Sequence, residues 1–81
     1  MDNNTAIIDR KVWNFIEDAS EQACAEYGVN EKEVWDDRRF GYLQEFADGL
    51  VQEVLGWGRS YESVRFSAIN YVRAVIMQFA A

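Results

Sequence analysis

No histidine occurs among the 81 residues, and the single cysteine is Cys24. General acid–base chemistry near neutrality therefore lacks its usual side chain. Cys24 has no base near it in sequence and falls close to the C-terminal end of a helical stretch. A thiolate there meets the negative end of the helix dipole. One cysteine among scattered carboxylates is neither a zinc nor an iron–sulfur ligand set, and it forms no intrachain disulfide. Paired carboxylates do occur, at Glu17–Asp18–Glu21, Glu31–Glu33, Asp36–Asp37 and Glu45–Asp48. None has the Glu-x-x-His pattern of a di-iron bundle or the spacing of a calcium loop. Solvated helix faces explain each. The run Gly56-Trp57-Gly58-Arg59-Ser60 resembles an anion-binding loop only loosely. It lacks Walker spacing and follows no strand, so a helix–helix turn is the expectation. No catalytic residue, metal site or cofactor is expected, and the chain does not read as an enzyme.

Charge carries more information. Fourteen acids face eight bases, a net charge of −6. Residues 1–58 hold −8 and residues 59–81 hold +2. Such a balance repels phosphate backbones, so direct nucleic-acid binding is not expected. A helix-turn-helix reading of Ser63, Ser67, Asn70 and Arg73 meets the same objection. Glu45, Asp48 and Glu53 on the preceding helix would face the phosphates. The polar start lacks the basic and apolar segments of a secretory signal, and no apolar run approaches the ~20 residues of a membrane span. A cytoplasmic protein with a free thiol is expected.

The elements that must carry these residues are helical. Apolar residues make up 49 % and aromatics 15 %, too much for disorder, and proline is absent. Ile8, Val12, Phe15, Ile16, Ala19, Ala23 and Tyr27 recur at steps of three and four. Thr5 reads as the cap of this first helix, after a polar tail at 1–5, with one helical domain over 6–81. Gly28 reads as its left-handed stop. Asn30 and Glu33 then suggest a capping box, and Val29 with Val34 a hydrophobic staple. Val34 and Trp35 fall out of phase with the next stripe, which runs through Phe40, Leu43, Phe46, Ala47, Leu50, Val51, Val54 and Leu55. That mismatch predicts a short helix over 31–37, a bend, and a longer helix stopped by Gly56. Trp57 would fold back onto Val51, or else stand exposed as a binding hot spot. Trp13, Trp35 and Trp57 are spaced by 22 residues, but the intervening residues match in neither type nor phase.

Ser60 caps the last stretch, whose main stripe is Tyr61, Val64, Ala68, Val72, Val75 and Phe79. A second apolar strip runs beside it through Phe66, Ile69, Ile76, Met77 and Ala80. Three helices of this size cover one strip well, so the second is expected at a homodimer interface formed by Phe66, Ile69, Arg73, Ile76 and Met77.

The fold class is therefore all-α: a small three-helix domain with a short fourth helix, a helical bundle completed by dimerisation. The chain resembles in type the small, acidic, aromatic-rich helical proteins that phages and other mobile elements encode. The functional expectation is a non-catalytic regulator or inhibitor that binds another protein through its acidic surface. Glu17, Asp18, Glu21, Glu45, Asp48, Glu53 and Trp57 would meet a basic partner, with a nucleic-acid-binding enzyme as a sharper case that carboxylate rows could deceive. The alternative is a structural or oligomerisation subunit of a larger assembly.

Overall fold

The computed structural model describes residues 3–81. It contains α1 (Asn3–Tyr27), α2 (Glu31–Val34), α3 (Asp37–Trp57) and α4 (Tyr61–Ala80). The fold is all-α, with three long helices and one short one, as the periodicity predicts. Helix α1 begins before Thr5, which lies inside the first turns instead of capping them. Asn3, Asn4 and Thr5 are only middling helix formers, but none breaks a helix, so residues 3–5 continue α1 and are not a tail.

Local chemistry explains the junctions. Gly28 adopts φ 66°, and the Val29 N–H donates to the Cys24 carbonyl at 3.0 Å. This is the Schellman closure expected at that position. Val29 packs against the core from there. Asn30 caps α2 by accepting from the Lys32 N–H at 2.9 Å. Helix α2 ends at Val34, and Asp36, in extended backbone, starts α3 by accepting from the Arg39 N–H at 2.9 Å. The bend thus falls where the stripe changes phase.

At the far end α3 runs through Gly56 to Trp57, and its stop, Gly58, falls two residues later than expected. Gly58 takes the left-handed conformation at φ 68°. Its N–H donates to Val54 O and that of Arg59 to Glu53 O, both at 3.2 Å. Of the two glycines around Trp57, the second leads directly into the Ser60 cap, which accepts from Ser63 N–H at 3.2 Å. Trp57 is carried outward and stands 82 % exposed, so it does not fold back onto Val51.

Helix α1 is the hub, packing on both α3 and α4 and most extensively on α4. Lys11 lies over the Tyr61 ring and Glu26 pairs with Arg73, so α1 and α4 run parallel. Arg39 lies over Phe79, and Phe46 stacks on Tyr71 at 4.1 Å between centroids, so α3 runs antiparallel to α4. Fully buried Ala23, Ala47 and Ala68 provide small surfaces for the helices to approach, while Ile16, Val12, Val34, Val64, Val72 and Ile76 fill the centre. Each such aliphatic side chain contributes about 1.5–3 kcal/mol by leaving water.

The second strip of α4 divides. Ile76 is fully buried, and Ile69 packs against the core, with α2 approaching α4 to add Val34. Ile76 therefore belongs to the protomer's own core and is not available to a dimer interface. The reason is periodic: Val64, Ala68, Val72 and Ile76 form one ladder of four-residue steps. Arg73 reaches back to α1, its two terminal nitrogens donating to both Glu26 oxygens at 2.9 and 3.1 Å. Phe66 and Met77 alone of the five remain large apolar surfaces in water, at 67 % and 51 % exposure.

Candidate binding site

Two features at the surface qualify as a site. The first is the set of side chains expected to meet a partner. Glu17, Asp18 and Glu21 are exposed on α1, Glu45 and Asp48 on α3, and Trp57 at the end of α3. These five carboxylates form no ion pair among the described residues. Glu53 differs. Both its oxygens accept from Nη1 of Arg59, at 3.2 and 3.1 Å. Arg59 also donates to the Ser63 hydroxyl and carbonyl and to the Ser67 hydroxyl. Glu53 is thus a clamp on the α3–α4 turn, and the Arg59 donors are engaged inside it. The turn acts as a helix–helix junction, with its basic residue turned onto the protein's own groups.

Five of the eight basic side chains are engaged by the protein's own groups. Arg39 pairs with Asp36, Arg59 with Glu53 and Arg73 with Glu26. Lys11, Arg38, Arg39 and Arg73 lie over the rings of Tyr61, Tyr42, Phe79 and Tyr27 at 4.9–6.0 Å. Contacts of this kind hold cations against the surface. Each pair neutralises one acid with one base, so the net charge stays at −6, and Glu17, Asp18, Glu21, Glu45 and Asp48 remain as unpaired negative charges at the surface.

The second feature is a cleft of about 480 Å³ between α1, α2 and the start of α3. Its apolar lining is Trp13, Ile16, Trp35, Phe40 and Leu43, and its polar lining is Glu17, Ser20, Glu31 and Gln44. Trp13 and Phe40 lie 5.9 Å apart between centroids. A hydrogen-bonded chain builds the wall. Trp35 Nε1–H donates to Ser20 Oγ at 2.8 Å, and the Ser20 hydroxyl donates to Glu31 Oε2 at 2.8 Å. Ser20 is 3 % exposed, so both of its bonds replace water that cannot reach it. The same chain ties α2, too short to hold itself, onto α1.

Sequence patterns did not single out this cleft. Trp13 sits just off the α1 stripe, and Glu31 reads as an ordinary first-turn acid. Only Ser20 carried a signal, as a hydroxyl in the four-residue ladder from Ile16 to Cys24. Trp13 and Trp35 share the cleft while Trp57 stands elsewhere, so the 22-residue spacing has no common structural role.

Cys24 is buried, and burial pushes its thiol above the ordinary value of 9.0; Glu31 adds to this, while a hydrogen bond with Ser20 opposes it. This environment suits packing and not thiolate chemistry. Among the described residues no three potential ligands gather into a metal site, and no helix is long and apolar enough to cross a membrane. No protein-family model, curated protein or solved structure matches this chain.

Proposed function

We propose that this protein is a non-catalytic, protein-binding regulator or inhibitor acting in the cytoplasm, with a basic partner. The observation that carries the reading is Trp57, an indole 82 % exposed at a turn held by the Arg59 clamp. Tryptophan on a rigid support is the residue type most enriched at binding centres. Unpaired Glu17, Asp18, Glu21, Glu45 and Asp48 supply the charge that selects and steers a basic surface. A nucleic-acid-binding enzyme is one such partner, occupied by carboxylates in place of phosphates.

The test compares immobilised wild type with Trp57→Ala and with the triple change Glu17→Lys, Asp18→Lys, Glu21→Lys, by capture from the native host's lysate. Wild type should retain a basic protein. Trp57→Ala should weaken retention about thirtyfold, as expected for loss of about 2 kcal/mol at a hot spot. The charge change should weaken it most at low salt, where screening is least. Equal retention by all three overturns the reading.

Exposed Phe66 and Met77 on α4 favour a second reading, a structural subunit that self-associates as a homodimer through this face. A mass near 9.4 kDa by light scattering at tens of micromolar overturns it.

A further inference from the structure

The cleft between α1, α2 and α3 has a composition unlike that of its neighbours. The cleft between α3 and α4 is lined by Arg39, that beside the α3–α4 turn by Arg59 and Arg65, and those on the N-terminal half of α1 by Arg10. The cleft of Trp13, Trp35 and Phe40 is lined by no basic residue and by two carboxylates, Glu17 and Glu31. Aromatic rings attract cations through their negative faces, and carboxylates add full charges.

One of those carboxylates is fixed in place. Glu31 Oε2 accepts from Ser20, which in turn accepts from Trp35. Glu31 Oε1 has no hydrogen-bond partner among the described residues, and Glu17 has none on either oxygen. The site therefore offers aromatic surface and free acceptors on a preformed frame, with the Gln44 amide beside them.

We propose that this cleft binds the side chain of an arginine presented by a partner protein. A guanidinium suits it better than an ammonium. Its plane stacks on indole and phenyl rings, and its five donors reach more than one carboxylate at once. The volume of about 480 Å³ admits the three-carbon stem with its head. This inference rests on the reading of the protein as a binder of basic partners, and it names the group recognised.

The experiment uses N-acetyl-arginine methylamide as the probe, with the citrulline and lysine counterparts as controls. The indole N–H resonances of Trp13, Trp35 and Trp57 report separately. The arginine probe should shift Trp13 and Trp35 saturably and leave Trp57 unmoved. Citrulline, of nearly the same shape without the charge, should shift neither. Lysine should bind several-fold more weakly. Glu31→Gln keeps an acceptor oxygen for Ser20 and removes the charge; it should weaken the arginine probe about tenfold, in line with loss of a charge-assisted bond. Glu17→Gln, on an exposed residue, gives a second variant that leaves the frame intact and should weaken it as well. Equal responses to arginine and citrulline, equal affinity for lysine, or no shift at Trp13 and Trp35 overturns the assignment. Because the probe is read without any partner, its failure is distinct from retention of the captured protein by Trp57→Ala.

Discussion

Trp35 Nε1 donates to Ser20 Oγ across fifteen positions of sequence, at 2.8 Å, and this bond holds the short α2 against α1. Ser20→Ala removes the acceptor for Trp35 and the donor to Glu31 together. It should destabilise the fold by about 1–3 kcal/mol, the loss expected when partly buried polar groups are left unpaired. Urea denaturation followed by circular dichroism measures it. A change within 0.5 kcal/mol of zero, the scale of an ordinary surface substitution, would mean that the bond is replaced by water without loss.

Glycines at the two kinds of position should respond oppositely to alanine. Gly28 sits at φ 66°, where a Cβ is strained, so Gly28→Ala should cost about 1–2 kcal/mol. Gly49 lies inside α3 with open space around any added Cβ. Gly49→Ala should raise stability by about 0.5–1 kcal/mol, through lower chain entropy in the unfolded state. Thermal melts of the two variants decide the matter, and a shared sign would contradict it.

The α1–α4 ion pair makes stability depend on acid. Hydrogen bonds from Arg73, and then its charge, hold the Glu26 carboxyl below its ordinary value of 4.5. The pair contributes above that value, and the contribution is lost as the pH falls through the lowered one. Wild type should therefore lose more stability than Glu26→Gln on acidification from pH 6, the two converging once Glu26 is protonated. Parallel denaturation curves at every pH would show the pair to be energetically silent.

Burial of Ile76 and exposure of Phe66 separate folding from association. Ile76→Glu places a charge in the core and should unfold the protomer. Phe66→Glu lies in solvent and should preserve helicity while reducing any self-association. Circular dichroism with light scattering distinguishes the two, and a folded Ile76→Glu protein would contradict the core assignment.

Cys24 gives a kinetic reading of the same core. Its raised thiol pKa and 4 % exposure should make native protein react with a disulfide reagent at pH 8 at least about tenfold more slowly than unfolded chain. Equal rates would mean that the α1 C-terminus opens freely.

What sequence pattern could and could not reveal follows from the range of each interaction. The Gly28–Asn30 junction was legible because its bonds join residues at most five apart. The bend at Asp36 was legible as a phase change in apolar spacing. The stop at Gly58 was not, because Gly56 and Gly58 both suit a left-handed turn and the choice depends on the Arg59 and Ser60 contacts beyond. Ile76 was ambiguous since two neighbouring ladders on α4 are both apolar, and only the packing of α4 against the other helices shows that Ile76 continues the buried Val64–Ala68–Val72 ladder. The aromatic cleft was invisible, because Trp13, Glu31 and Phe40 become neighbours only through packing.

The parallel course of α1 and α4 has a mechanical consequence. The ends of the helical body lie toward opposite poles of a molecule whose longest dimension is 38 Å. Tension applied through those ends would pull α1 and α4 in opposite directions along their common seam. The interface is then loaded in shear, with its packing and the Glu26–Arg73 pair resisting together, and cannot peel open one turn at a time. Joining the ends into a circle would likewise require a linker of about 11 extended residues to span the long axis.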